Sequence, residues 1–260
     1  MSRGTVPVTV VIAARNESAE IAACIESAAW AAEVLVVEND SSDDTVQQAQ
    51  AAGATVFTHV FSTIGAQRNA AITRAAQPWI FVLDADERAS ESVGRELAQV
   101  IAGAHNTTAF RARRRNFFLG REVCHGGWER DMPVRLFVRT LRYDERPVHE
   151  HVITMGSVGS LQAPLLHTPY ASLDEYFEKL HRYSKWWALQ HHARGRSASL
   201  LSVVGRPVGR FITMLVVRGG WRDGAVGVMI ATLGAMSVAA KYAHLWWLTH
   251  ASNASPARPR

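Results

Sequence analysis

The chain has 260 residues, of which 48% are hydrophobic and 20% charged. That is enough to bury one substantial core plus an appendage, and it excludes an intrinsically disordered chain. The net charge of +5 is uneven, with 6 basic and 13 acidic side chains over residues 1–110 but 11 basic residues and one acid, Asp223, over 181–260.

The two cysteines, Cys24 and Cys124, are too few for a disulfide framework and have no metal-binding spacing. The first apolar stretch, Val6–Ala14, runs straight into Arg15-Asn16-Glu17 without a small-residue cleavage site, so a reducing, cytoplasmic setting is expected. Within it Val8–Ala14 reads as a strand, and Asn16 is placed to cap a helix reaching Trp30. Glu33–Glu38 is a second strand, followed by the polar loop Asn39-Asp40-Ser41-Ser42 and a helix over 43–52 that Gly53 terminates. Capping is the expected role of Ser42 and Asp44. Thr55–Val60 is a third strand, Gly65–Ala75 a helix, and Trp79–Leu83 a fourth strand, uniformly apolar and so expected to be buried on both faces. Strand–helix alternation at this spacing predicts parallel βαβ units with right-handed crossovers. One sheet edge then collects Arg15–Glu17, the 38–45 loop and the acids at 84–87.

Those acids, Asp84-Ala85-Asp86-Glu87, leave the fourth strand where open α/β sheets bind ligands. Two carboxylates one residue apart are costly to desolvate unless a cation sits with them. Hard oxygen ligands of this kind suit Mg2+ or Mn2+ completed by substrate phosphates. Glu38, at the tip of the second strand, is placed to accept hydrogen bonds from a nucleobase or ribose. Gly65-Ala66-Gln67-Arg68-Asn69 opens a helix with an arginine, which suits a diphosphate. From about Thr107 the alternation gives way to strands over 109–118 and 135–138 with Gly126-Gly127 between them.

The series VTVVIAARNE, EVLVVENDSSDDT, GAQRNAAI and FVLDADE resembles the family 2 inverting glycosyltransferases with a GT-A fold, a mostly parallel α/β sheet flanked by helices. RRRNFFLGR, GGWERDMPVRLF, RPVHEHV and SLDEYFEKLHRYS are similar to the lipopolysaccharide core β-1,4-glucosyltransferase subgroup. The resemblance covers roughly residues 7–170 in motif order. It implies that Ala14, Asn16, Glu17, Glu38, Asp40, Arg68, Asp84 and Ala85 face a nucleotide-sugar donor. Asp84 and Asp86 would hold Mg2+ or Mn2+, with His167 as a further ligand. Glu38 stands where the family usually has aspartate. Inverting transfer needs a carboxylate base. Glu150, in the His149-Glu150 pair, is the first choice and Asp131 the rival. Arg113 and Arg115, in the cluster Arg111–Arg115, are placed for a phosphorylated, lipid-linked saccharide acceptor, together with Trp128 and His149.

From Leu173 the pattern is helical, with Phe177, Leu180, Tyr183, Ser184 and Trp187 at three- and four-residue steps, followed by apolar helices over 197–217 and 224–248. Ala225–Ala240 is sixteen residues without a charge, short of the ~20 needed to span a bilayer. With Trp246, Trp247 and the arginines that precede it, the segment suits a helical extension apposed to an anionic membrane surface. No nucleic-acid reader motif is present, and nucleic acid is not an expected partner.

The expected organisation is a catalytic domain over 1–170, with a nucleotide-sugar half to residue 106 and an acceptor half after it. A membrane-apposed helical extension follows over 171–250, then a tail over 251–260. The expected activity is transfer of a hexose, glucose from UDP-glucose, to a lipid-linked saccharide such as the heptose of lipopolysaccharide core, by an enzyme peripheral on the inner face of the cytoplasmic membrane. The alternatives are a glycosyltransferase for another envelope glycan and a non-catalytic membrane adaptor. A sugar-1-phosphate nucleotidyltransferase would need a Gly-rich loop with a basic residue after the first strand, which AARNES lacks.

Overall fold

The computed structural model describes residues 5–60, 62–103, 106–144, 146, 150–154 and 156–251. The chain divides into two units, residues 1–115 with 130–167 and residues 116–129 with 168–260.

The first unit is built on a seven-stranded sheet. Its parallel half follows the sequence pattern: β1 (Val6–Ala14), β2 (Ala31–Glu38), β3 (Thr55–Thr58) and β4 (Trp79–Asp84) lie side by side in the order β3-β2-β1-β4. Helices α1 (Ile21–Ser27), α2 (Thr45–Ala51) and α3 (Ile64–Arg74) make the crossovers. Beyond β4 come β9 (Val134–Val138), which runs antiparallel to its neighbours, then β6 (Ala109–Arg111) and β10 (Val158–Ser160). The expected long strand over 109–118 is two strands, β6 and β7 (Arg114–Phe118), and the chain passes from one unit to the other within β7. A short strand β5 (Glu87–Arg88) pairs with β11 (Leu165–His167), bringing His167 opposite Glu87, and α4 (Glu91–Gly103) follows β5.

Phe81, Ile80, Val82 and Leu83 are fully buried, as a strand covered on both faces requires. Two apolar clusters lie in the unit, one with Phe81, Leu83 and Leu97, the other with Ile72, Val82 and Phe137. The first crossover helix is shorter than its pattern suggests: Asn16 has φ 56°, in the left-handed region, and α1 starts only at Ile21. Gly53, with φ 84°, ends α2 as expected.

The second unit holds α5 (Leu173–Ala193), α6 (Leu200–Ile212), α7 (Gly224–Ala251) and the hairpin of β7 with β8 (Arg121–Val123). Ser172 caps α5 by accepting the Glu175 N–H at 3.1 Å, and Ser199 and Ser202 form a reciprocal capping box at α6. Phe118, Val123, Tyr176, Met214, Ile230 and Leu233 form one apolar cluster. Ala188 and Leu245 centre another, with Trp187 and Tyr242 against them. Helix α6 and the turn after it leave a row of apolar side chains exposed, Leu200, Val204, Val208, Ile212 and Val216. The segments Leu200–Val217 and Gly220–His250 are long and apolar enough to cross a membrane, so length does not exclude a span as the sixteen-residue count suggests. The tail over 252–260 lies outside the described residues.

Candidate active site

In a sheet ordered 3-2-1-4 the chain turns in opposite directions from β1, which opens a crevice at the carboxyl ends of β1 and β4. Asn16 and Glu17 follow β1, the 39–45 loop follows β2, and Asp84 ends β4.

The loops after β1 and β2 hold each other. The Asn16 N–H donates to Ser41 Oγ at 2.9 Å, and the Ser42 N–H donates to Asn16 Oδ1 at 2.8 Å. The Glu17 N–H meets Thr45 Oγ1 at 2.8 Å. Asp43, rather than Ser42 or Asp44, does the capping: it accepts from the Thr45 N–H and hydroxyl and from the Ser18 N–H. Burial opposes its charge, but the bonds from Thr45 and Ser18 prevail and lower its pKa from 3.8 to about 2. Glu38 is buried and accepts the Ser41 N–H with one carboxylate oxygen. Asp40, with φ 56°, is exposed beside it, while Ala14 and Ala85 are buried in the walls.

Helix α3 explains its opening motif residue by residue. A Cβ on Gly65 would run into the Asp144 carbonyl oxygen and come within 3.5 Å of the Glu150 Cβ, so glycine permits the close approach of that segment. Gln67 donates to the Val37 carbonyl at 2.7 Å and the Ala14 carbonyl at 3.3 Å, tying the helix to the ends of β1 and β2. Asn69 exchanges two 2.9 Å bonds with the Tyr143 backbone. Arg68, buried and with its guanidinium 5.1 Å from the Tyr143 ring centroid, reaches both Asp84 and Glu150 at 2.5 Å.

Asp84 is therefore the hub of a cluster of arginines. Its Oδ1 meets Arg68, and its Oδ2 meets Arg114 at 2.7 Å and Arg135 at 2.5 Å. Fully buried Glu87 supports the same two arginines, at 2.5 Å from Arg114 and 2.7 Å from Arg135, and accepts the Asp84 N–H at 2.9 Å. Burial opposes the Asp84 charge, but Arg135, Arg68 and Arg114 outweigh it and hold the carboxyl well below its ordinary range. Asp131, about half exposed, pairs with Arg114 at 2.5 Å. A cavity of about 590 Å3 lies here, lined by Arg68, Asp84, Arg114, Asp131, Arg135 and Glu150 among others. The structure thus gathers both candidate bases, Glu150 and Asp131, around one cavity.

The metal residues expected from sequence divide. Asp86 stands 3.5 Å from His167, a carboxylate–imidazole pair that fits a divalent cation completed by substrate oxygens. Asp84 could join them only by releasing an arginine, and no cluster of three His, Cys, Asp or Glu side chains occurs among the described residues.

In the arginine run, strand alternation selects Arg114 for the site and leaves Arg113 and Arg115 exposed. Trp128 belongs to the second unit, as does the Gly126-Gly127 turn, and His149 lies outside the described residues. Sequence reading missed Glu87 and Arg135. The signal for Glu87 was its place in the acidic run, but for Arg135 only its position on a strand.

The family model of glycosyl transferase family 2 matches residues 9–151. The chain belongs to that family. Its first unit has the GT-A fold, and the protein is a glycosyltransferase. It is 29% identical over 238 residues to the lipopolysaccharide core biosynthesis glycosyltransferase LpsC of Rhizobium meliloti, covering 88% of each chain. An uncharacterized glycosyltransferase of Rickettsia prowazekii is 33% identical over 106 residues, 40% of this chain and 36% of the relative. Among solved structures, glucosyl-3-phosphoglycerate synthase of Mycobacterium tuberculosis, in complex with Mn2+, UDP and glucosyl-3-phosphoglycerate, is 21% identical over 43% of each chain with a TM-score of 0.36. A mycobacterial protein is 17% identical with a TM-score of 0.42, over 51% of this chain and 53% of the other.

Proposed function

We propose that this glycosyltransferase moves a hexose, glucose from UDP-glucose in the reading we favour, onto the saccharide of a lipid-linked acceptor of lipopolysaccharide-core type, with inversion. The observation that carries the chemistry is Glu150 held against Arg68, which also grips Asp84, in one polar cavity at the carboxyl edge of the sheet. The likeness to LpsC along most of both chains supports the acceptor class.

In this reading Glu150 takes the proton from the acceptor hydroxyl as that oxygen attacks the anomeric carbon. The bond to the departing diphosphate breaks on the opposite face, and the electron pair leaves with the diphosphate. Arg68 fixes Glu150 in position, and its buried Nε–H, without an acceptor among the described residues, is a donor left for substrate. Asn16, Glu17, Glu38 and Asp40 would border the nucleotide. Asp86 and His167, together with donor oxygens, would hold Mg2+ or Mn2+, whose charge offsets that developing on the leaving diphosphate. Arg113 and Arg115, exposed before and within β7, would meet acceptor phosphates.

The helical unit would rest on the cytoplasmic face of the membrane as an interfacial element. The exposed apolar row of α6 and the excess of basic residues over 181–260 support adsorption to an anionic surface. Helix α5, which carries Asp174, Glu175, Glu178, Lys179, Arg182 and Lys185, runs along α7 from Leu233 to Leu245, a neighbour unsuited to lipid.

The test is UDP release from a panel of UDP-sugars, with and without divalent metal and with a lipid-A-linked core saccharide as acceptor. Transfer of glucose with inversion, read from the anomeric proton coupling of the product, is expected. Absence of release with every donor would favour the non-catalytic adaptor and sink the proposal.

A further inference from the structure

The second unit contains a cavity of about 410 Å3 that the transfer reaction does not use. One wall is aromatic: Phe118 stands edge-on to Trp128, Tyr170 and Tyr176 at centroid distances of 6.2–6.3 Å. The lining also carries two cations, Arg210 from α6 and Lys241 from α7. Lys241 is the only charged residue among the 28 of α7, apart from its histidines.

Among the described residues neither cation has a hydrogen-bond or ion-pair partner. No acid lines the cavity among the described residues, and elsewhere in the unit Asp223 pairs with His125 at 2.6 Å and Glu175 with Lys179 at 2.6 Å. Both basic groups are half-buried, and both are shifted toward the neutral form, first by burial and then by another cation, Arg218 for Arg210 and Arg210 for Lys241. Two half-buried like charges beside an aromatic wall, with no counter-ion among the described residues, make a place where an anion would be stabilised. Local packing keeps the space open. A Cβ on Gly234 would sit 2.7 Å from Met214 Sδ and 3.8 Å from Arg210 Nε, so glycine lets both side chains approach α7. The Tyr176 hydroxyl donates to the Leu233 carbonyl at 2.8 Å, which fixes the aromatic wall.

We propose that this cavity is a phosphate-binding site in which Arg210 and Lys241 hold the anion, with Ser237 at its lining as a further donor, and the aromatic wall holds an apolar group attached to it. A guanidinium fork and an ammonium together match a phosphate monoester better than a carboxylate, since both can donate to several of its oxygens. The aromatic and aliphatic lining suits a glycerolipid phosphate, and the exposed apolar row on α6 of the same unit is consistent with a ligand drawn from a membrane. The site stands independently of the proposed transfer reaction, since none of its residues belongs to the Asp84 cluster.

The experiment uses the full chain and three probes: inorganic phosphate, dihexanoyl phosphatidic acid, and vesicles of phosphatidylcholine with and without phosphatidic acid. Calorimetry and thermal melts compare wild type with Arg210→Met/Lys241→Met and with the exposed control Arg194→Met/Arg196→Met, which removes the same charge. Each lost charge-assisted contact should weaken binding about tenfold, so the pocket variant should lose about a hundredfold and the control less than about threefold. Phosphate probes should raise the melting temperature of wild type and the control but not of the pocket variant. The unliganded variant should melt no lower than wild type, because two mutually repelling charges are gone. Tighter binding of the short-chain lipid than of inorganic phosphate identifies a headgroup as the source, and equal binding identifies free phosphate. Failure of every phosphate probe to bind wild type, or equal loss in both double variants, overturns the proposal. Lys241→Arg, which keeps the charge, should retain binding if the fold of the methionine variant is disturbed.

Discussion

Replacing Glu87 with glutamine should destabilise the first unit. The carboxylate is fully buried, and each of its oxygens accepts only from donors: Oε1 from Arg114 and Arg135, Oε2 from the Asp84 N–H. Glutamine offers one oxygen and one NH2, so either orientation sets a donor against a donor. An unsatisfied buried group alone costs about 1–3 kcal/mol. Arg135, itself only 3% exposed, loses one of its two carboxylate partners but keeps Asp84, and Arg114 keeps Asp84 and Asp131, so the expected loss is about 2–4 kcal/mol. For a chain of this size that corresponds to a fall in melting temperature on the order of 10 °C. Calorimetry and urea titration of the full chain read it directly. Glu87→Gln/Arg114→Met, which also removes one of the two guanidinium groups facing the new amide, should recover part of the loss, giving a coupling of about 1–3 kcal/mol in the double-mutant cycle. A fall below about 2 °C, or strict additivity of the two substitutions, would show that Glu87 does not hold the arginines in place.

Glu150→Gln should abolish transfer while UDP affinity stays within about twofold of wild type, because loss of a base affects the transition state more than the ground state. Retained activity in that variant, with loss in Asp131→Asn, would hand the role to Asp131. Asp86→Asn should remove the Mg2+ or Mn2+ dependence of UDP binding, and calorimetric titrations with an unchanged metal effect would refute a metal at Asp86. The depressed Asp43 carboxyl contributes stability that is complete above its unfolded pKa near 4 and lost as pH falls toward about 2. Urea midpoints at pH 5 and pH 2.5 should therefore differ less in Asp43→Asn than in wild type, and equal differences would contradict the capping role. Val204→Gln/Val208→Gln should release the full chain from anionic vesicles at lower salt than wild type, and unchanged co-sedimentation would mean the α6 face does not meet the membrane.

Local chemistry in the sequence determined a great deal of this protein. The alternation of period along the first hundred residues specified parallel β1–β4 and their crossovers, because side-chain periodicity is a property of neighbours in the chain. The uniformly apolar run of β4 announced burial on both faces, and the acids after it marked the edge where a site forms. The helical steps after Leu173 gave α5 without ambiguity. What the tertiary structure decided is which charges meet. Arg114 and Arg135 reach Asp84 from 30 and 51 residues away, and nothing local distinguishes them from the other arginines between 111 and 146. The entry into β7 turned Arg114 inward and left Arg113, just before the strand, and Arg115 exposed. The same non-local pairing surrounded Asp84 with guanidinium groups, buried Glu87 as their counter-charge, and gave the capping role to Asp43. It also put Asn16 in a left-handed turn locked to Ser41 and Ser42, which shortened α1. Hydrophobic pattern dictates elements one at a time, whereas a buried carboxylate must find its cation wherever the fold delivers one.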